Sequence, residues 1–292
     1  MTLWNAIALL AALAIVIGAA HAILIAPTAL RLTRIDAPID DLAPELEGYS
    51  LAILSDLHYG GSIAPASLLS RAVHLANEST PDVIVLLGDY ALSHSHLPRL
   101  SRSLYRWALP KMTGALSTLH APDGLIAILG NHDYDDDVAI VIAWLRALGA
   151  TVLVNECVTV RRGAALLGIG GVDDFTNGEI DPDGGCASLP PQVPRIVLSH
   201  HPDGACELSA RARVDLVIAG HTHGGQVVLP LIGAPMRHCS ICDAHSASGW
   251  VPRAPVPLYV TTGAGVVLPV RVNCPGEVLL VRLVRAQPPA PR

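Results

Sequence analysis

An α/β fold is predicted for this chain: a mainly parallel sheet covered on both faces, a second sheet packed against it, and one N-terminal membrane-crossing helix in front. Three features predict it. Short continuous apolar runs alternate with longer stretches whose apolar residues recur at helical spacing, the pattern of strands buried between helices. Five of those runs stop at a short stretch containing Asp, Asn or His. From Ala6 to Ala26 the one clearly polar side chain is His21. That run is roughly 21 residues, or about 31 Å of helix, which is enough to cross a bilayer.

The apolar run exceeds a signal-peptide core in length, and no Lys or Arg precedes it. An uncleaved, single-pass anchor over residues 1–30 therefore fits better than a cleaved leader. Arg31 and Arg34 follow it, so the positive-inside rule points the remainder of the chain to the cytoplasmic side of the cell membrane. His21 is a tolerated residue near the interface and is given no role. Residues 31–48, acidic and Pro-containing from Asp36 onward, read as a linker. Residues 49–285 read as one domain and 286–292 as a Pro-rich disordered tail.

Within the domain, Tyr49 to Leu54 makes the first strand. Ala66 to Asn77 places Leu68, Leu69, Ala72, Val73 and Ala76 on one helical face, and Val83 to Leu87 is a buried strand. A helix is expected from Leu97 to Leu119, interrupted near Pro110. Leu125 to Leu129 is a third strand. Val138 to Leu148 is apolar on nearly every face, as a helix packed between layers would be, and Gly149 ends it. Val152 to Val160 and Ala164 to Ile169 form a strand pair turning at Arg161-Arg162-Gly163. Arg195 to Leu198, Val214 to Ala219, Val227 to Leu229, Pro257 to Thr261 and Val278 to Leu283 supply the remaining strands.

Of the 292 residues, 51% are apolar and 15% charged, with a formal net charge of −6. With no basic run, a nucleic-acid surface is excluded, and a site for phosphates would need locally supplied positive charge. Six cysteines are too dispersed in a chain this long to read as a disulfide framework. His238-Cys239-Ser240-Ile241-Cys242-Asp243-Ala244-His245 reads as a surface loop, with a zinc knuckle or a disulfide as alternatives. Asp173 and Asp174 read as turn acids.

The five run ends carry Asp56 with His58, Asp89, Asn131 with His132, His200, and His221 with His223. In open α/β sheets ligands bind beyond the carboxyl ends of the strands, so these ends should converge. Taken singly, each residue has an ordinary explanation: an Asp capping a helix, an Asn in a turn, a histidine with a buried partner. Five coincidences of position and donor type argue against all of those holding together. Carboxylates, an amide oxygen and imidazoles form a donor set suited to Mn²⁺, Fe or Zn²⁺.

Asp56-Leu57-His58, Gly88-Asp89, Gly130-Asn131-His132-Asp133, His200 and Gly220-His221-Thr222-His223 resemble, in order and spacing, the motif set of the calcineurin-like metallophosphoesterases. Gly171-Val172-Asp173-Asp174, Gly224-Gly225-Gln226, Pro269-Val270-Arg271 and the N-terminal span further resemble the bacterial membrane-anchored phosphodiesterase branch. The resemblance implies a four-layer sandwich of two mixed β-sheets flanked by helices, with two divalent metal ions. One ion would be held by Asp56, His58, Asp89 and His223, the other by Asp89, Asn131, His200 and His221, with Asp89 bridging. His132 would be the general acid, oriented by Asp133. Where this branch often has Asn before the proline, this chain has His201-Pro202, so His201 competes with His200. His200 is preferred because it directly follows the strand.

The expected reaction is hydrolysis of a phosphoester or pyrophosphate by a metal-activated water attacking in line, with His132 protonating the leaving oxygen. The anchor points to an envelope or lipid-linked substrate. A non-catalytic scaffold or metal-storing membrane protein keeping the fold is the alternative, but a scaffold has no physical need for seven metal donors and a histidine acid.

Overall fold

The computed structural model describes residues 2–63, 65–93, 98–135, 137–208 and 212–286. Helix α1 (Leu3–Ala20) continues through two short turns to Thr28. The whole stretch is long and apolar enough to span a membrane, and no residue of α1 itself is buried. The expected tail at 287–292 lies outside the described residues.

Two six-stranded mixed sheets follow. The first has the order β1 (Leu30–Ile39), β12 (Gly276–Arg285), β2 (Ser50–Leu54), β3 (Val83–Leu86), β4 (Leu125–Ala127), β5 (Ala150–Val152). In it β12 runs antiparallel to β2, and every other pair is parallel. The second has the order β10 (Gly249–Trp250), β11 (Leu258–Val260), β9 (Leu216–Ala219), β8 (Arg195–Ser199), β7 (Ala165–Gly171), β6 (Glu156–Arg162). Its two outer pairs are antiparallel and its three inner pairs parallel.

The buried strands divide their side chains with period two. Val83 and Val85 point between the sheets, where they meet Ile169, Ile196, Leu198 and Ile218. Ile84 and Leu86 point the other way, onto α2 (Pro65–Glu78), α3 (Pro98–Leu116) and α4 (Val138–Ala147). The outer face of the second sheet, with Val197, Val217 and Val260, is covered by the turn at Pro202–Cys206 and by loops around Cys242 and Val251. The expected sandwich of two mixed sheets is present, with α-helices over one outer face and turns over the other.

Three local expectations differ. The stretch expected as a linker is largely sheet: β1 pairs with β12 along ten residues, and Ala37, Ile39, Leu42 and Leu46 are buried. Its alternation places Leu30 and Leu32 on the helical side and Ile35, Ala37 and Ile39 between the sheets. Pro38 is tolerated because β1 is an edge strand. Helix α3 passes through Pro110 without a break; buried Ala108, Leu109, Met112 and Leu116 hold it to the sheet while Pro110 forgoes one backbone bond. Val227 to Leu229 forms single bridges to Val272 and Gly233 rather than a strand.

Candidate metal centre

The parallel strands β2, β3 and β4 of one sheet and β8 and β9 of the other end on a common rim. The two rims meet where His200 Nδ1 donates to the Leu87 carbonyl at 2.8 Å. Past each strand the backbone turns sharply. Asp56, His58, Asp89, His221 and His223 all take positive φ, from 37° to 67°. Such left-handed conformations cost a non-glycine residue on the order of 1 kcal/mol and concentrate at functional sites. Here they turn side chains that would otherwise alternate across the sheets toward one point.

That point holds two donor sets. Asp56, His58 and His223 bring one ligand atom each within 4.8 Å of one another, and so do Asp89, His200 and His221. Asp89 Oδ2 joins the sets, standing 3.4 Å from His58 Nε2 and 3.2 Å from His200 Nε2. Asn131 Oδ1 is 2.8 Å from His221 Nδ1, which brings the amide to the second set. His58 Nε2 and His223 Nε2 face each other at 3.1 Å. All seven metal donors expected from sequence are therefore brought together.

The chemistry of these contacts fits a pair of cations. Because His200 gives its Nδ1–H to Leu87, a neutral ring would direct its Nε2 lone pair at Asp89, and that buried nitrogen has no hydrogen-bond partner. A lone pair against a carboxylate needs a proton or a cation between them. Burial opposes protonation of His200, yet Asp89 and Asp56 outweigh it and lift the group to about 10. Asp89 itself, which burial would raise, is held well below the usual carboxylate range by His200 and His132. Burial depresses His58 and His223 to about 3, leaving their rings neutral and available as donors. The carbonyl contact of His200 is the kind of outer hydrogen bond that fixes a ligating histidine's tautomer.

His201, the competitor for His200, points elsewhere. Its Nδ1 accepts from Asp203 N–H at 3.1 Å, and its ring lies against His221 and Phe175.

The second catalytic residue expected from sequence is corrected. His132 lies beside the donors, its N–H bonded to Asp89 Oδ1 at 2.9 Å. Asp133 does not orient it, because its oxygens accept from the N–H groups of Asp89, Tyr90 and Gly130 and from Tyr105 O–H. The partner of His132 is Asp135, whose Oδ2 is 2.9 Å from Nδ1. Burial opposes charging of His132, but the Asp89 charge and the Asp135 hydrogen bond raise it. Asp135 gave no sequence signal, since it stands in a run of three acids, any one of which suits a turn. Asp174, expected as a turn acid, caps a turn by accepting from Thr176 and Asn177.

The cysteines are also corrected. Cys157 is bonded to Cys186 and Cys239 to Cys242, leaving Cys206 and Cys274 free. The first pair is 29 residues apart, so spacing alone could not announce it. A structural zinc knuckle is excluded by the second.

Beside the donors opens a cavity of about 310 Å³. Its lining combines Asp89, His132, His221 and His223 with the apolar Val227, Met236, Val267, Leu268 and Val270. The arrangement suits a substrate with a compact anionic group and an apolar remainder.

Comparison with known proteins agrees with this geometry. The family model for calcineurin-like phosphoesterases matches residues 49–225. Phosphodiesterase YaeI of Escherichia coli K12 is 31% identical over 248 residues, 84% of each chain. A zebrafish transmembrane protein with a metallophosphoesterase domain is 29% identical over 88% of this chain, which spans 58% of that longer protein. The UDP-2,3-diacylglucosamine pyrophosphatase LpxG of Chlamydia trachomatis is 25% identical over 70% of this chain and 72% of its own. The chain belongs to the calcineurin-like phosphoesterases and is a hydrolase acting on phosphoester bonds.

Proposed function

We propose that this protein is a membrane-anchored, two-metal phosphohydrolase that cleaves a phosphodiester or pyrophosphate bond in an envelope or lipid-linked substrate. The observation that carries the reading is Asp89 Oδ2 standing between His58 Nε2 and His200 Nε2, one carboxylate oxygen common to two donor sets. Asp56, His58, Asp89 and His223 would hold one ion; Asp89, Asn131, His200 and His221 would hold the other. The mix of carboxylate, amide and imidazole suits Mn²⁺, Fe or Zn²⁺. Two bound dications supply charge neutralisation at the phosphoryl oxygens and an acidified water for in-line attack.

The chain's own residues do the rest. Asp135 keeps one His132 nitrogen occupied, so the other is free to protonate the departing oxygen. Asp89 fixes the His132 backbone by accepting its N–H. The apolar residues of the cavity lining orient whatever the phosphate is attached to. The relatives named as a phosphodiesterase and as a pyrophosphatase of a diacylated sugar nucleotide support both bond types and an acylated substrate.

We assign the domain to the oxidising face of the membrane. The two cystines are the support, since disulfides persist in oxidising compartments and are rare in the cytosol. The opposite expectation rested on Arg31 and Arg34. Arg31, though exposed, pairs with the buried Glu277 at 3.4 Å, so it is not a free juxtamembrane charge.

The function is tested by reconstituting the full chain in vesicles with Mn²⁺ and assaying aryl phosphodiesters, phospholipids and diphosphate-linked lipids. Asn131→Ala and His132→Ala serve as controls. Metal-dependent turnover lost in Asn131→Ala on every substrate, and in His132→Ala on those with an alkyl leaving group, is expected; turnover unchanged by Asn131→Ala would remove the assignment.

A further inference from the structure

The apolar wall of the cavity is attached to the end of the membrane helix. Arg271 N–H donates to the Ala22 carbonyl at 3.0 Å, within the turn that continues α1. The segment carrying Val267, Leu268 and Val270 is thus pinned where the chain leaves the bilayer. Gln226 Nε2 reaches the carbonyls of Leu268 and Val270 at 2.9 and 2.8 Å, and Val228 N–H reaches Val272 at 2.9 Å. These bonds hold the 226–236 loop alongside the same segment.

From that loop projects the turn Pro230-Leu231-Ile232-Gly233, closed by reciprocal backbone bonds of 2.9 Å between Leu229 and Gly233. Turn tips are ordinarily polar or glycine, particularly where φ is positive. Here Leu231 takes φ 66° and is 99% exposed, with Ile232 at 61%. Met236 and Leu268, on the cavity rim, are 57% and 58% exposed. Four large apolar side chains therefore face out beside an anchor that already fixes the domain to a bilayer. Water is an unfavourable neighbour for such a cluster, whereas the acyl boundary that α1 enters is a favourable one.

We propose that Leu231, Ile232, Met236 and Leu268 dock into the bilayer that α1 crosses, so that the cavity opens at the membrane surface and its apolar wall receives the acyl part of a membrane-resident phosphoester. The docking rests on α1 being an anchor. The acyl assignment rests additionally on the phosphohydrolase reading above. A substrate then enters laterally, its phosphate meeting the donors and its chain lying along Val227, Val267 and Val270.

The test uses the full chain in vesicles of phosphatidylethanolamine and phosphatidylglycerol. In a Trp4→Phe background, Leu231→Trp is expected to lose about half its added fluorescence when the lipids carry bromine on the acyl chains, as for an interfacial side chain. An unquenched tryptophan at 231 overturns the docking. In parallel, Leu231→Asp/Ile232→Asp is compared with the parent on methyl p-nitrophenyl phosphate in solution and on its hexadecyl homologue embedded in the vesicles. The leaving group is the same, so only access differs. The variant should keep the methyl activity and lose on the order of tenfold on the hexadecyl ester. Equal retention on both overturns the acyl route. A parent that hydrolyses neither ester removes the phosphohydrolase reading and the acyl route with it, while quenching still decides the docking.

Discussion

Asp135 Oδ2 lies 2.9 Å from His132 Nδ1, and the same oxygen accepts from Ser93 Oγ at 2.6 Å. The pair lies three positions apart in sequence, and a 3₁₀ turn from Asn131 to Tyr134 brings them face to face. The carboxylate sets the ring's orientation and favours its protonated form. If His132 delivers a proton to the leaving oxygen, His132→Ala should cut turnover by about 10²–10⁴ for an alkyl leaving group. The loss should be much smaller for p-nitrophenolate, which departs without a proton. Asp135→Asn should show the same leaving-group dependence with a smaller loss. Equal losses for both leaving groups would assign His132 to binding instead.

Asp89 is common to both donor sets, whereas His223 belongs to one. Asp89→Asn should therefore reduce bound metal at both positions, and His223→Ala chiefly at one. Elemental analysis of purified protein reads the difference directly. Chelation should abolish turnover of the parent, and Mn²⁺ should restore it. An Asp89→Asn variant that retains two ions per chain would disprove the bridging role.

Most of both sheets and the convergence of the five run ends were legible because their signal is local: a continuous apolar run followed by a turn bearing Asp, Asn or His. What escaped depended on distant partners. Strand β1 has the composition of a linker, with Asp36 and Pro38, and becomes sheet only because β12, some 246 residues later by the Asp36–Arg282 pair, lies beside it. The orientation of Asp133 and Asp135 depends on which of them turns inward at Gly130, and adjacent carboxylates give no hint of that. Cys157 and Cys186 meet because a loop after β7 folds back over β6, which no spacing rule contains.

Asp133 is a buried acceptor for four donors, three backbone N–H groups and the Tyr105 hydroxyl. Burial and the Asp89 charge push it up to about 7, against those N–H bonds. Asp133→Asn would turn an amide's N–H bonds toward groups that are themselves donors. The expected cost is about 3 kcal/mol, since each buried donor left unpaired costs roughly 1–3 kcal/mol. That corresponds to a fall of about 6–12 °C in melting temperature for a domain of this size. A variant that melts with the parent would show that the four bonds contribute little.

The cystine assignment gives a compartment-specific result. Denatured protein alkylated without reductant should expose two thiols, Cys206 and Cys274, and all six cysteines after reduction. Cells labelled with a membrane-impermeant maleimide should modify a cysteine placed on the exposed surface of the domain, for example at Arg253. Six thiols without reductant, or protection from the impermeant reagent, would return the domain to the cytoplasmic side.

Gly220 ends β9 against the Asp56 side chain. Its φ is not in the left-handed region, so alanine would be acceptable to the backbone, but an added Cβ would stand 2.5 Å from Asp56 Oδ2 and closer still to Ser55 Oγ. Asp56 cannot withdraw easily, because it accepts from His221 N–H at 3.1 and 3.2 Å and is fully buried. Gly220→Ala should therefore cost about 1–3 kcal/mol of stability through overpacking. It should also weaken the first donor set, since displacing a ligand's support commonly lowers metal affinity 10–100-fold. Titration of the metal-free variant with Mn²⁺ measures the second effect apart from the first: the activity midpoint should move to higher metal while saturating metal recovers much of the turnover. A variant with an unchanged midpoint would mean that the alanine is absorbed by Ser55 alone, and that Asp56 is not held in place by the glycine behind it.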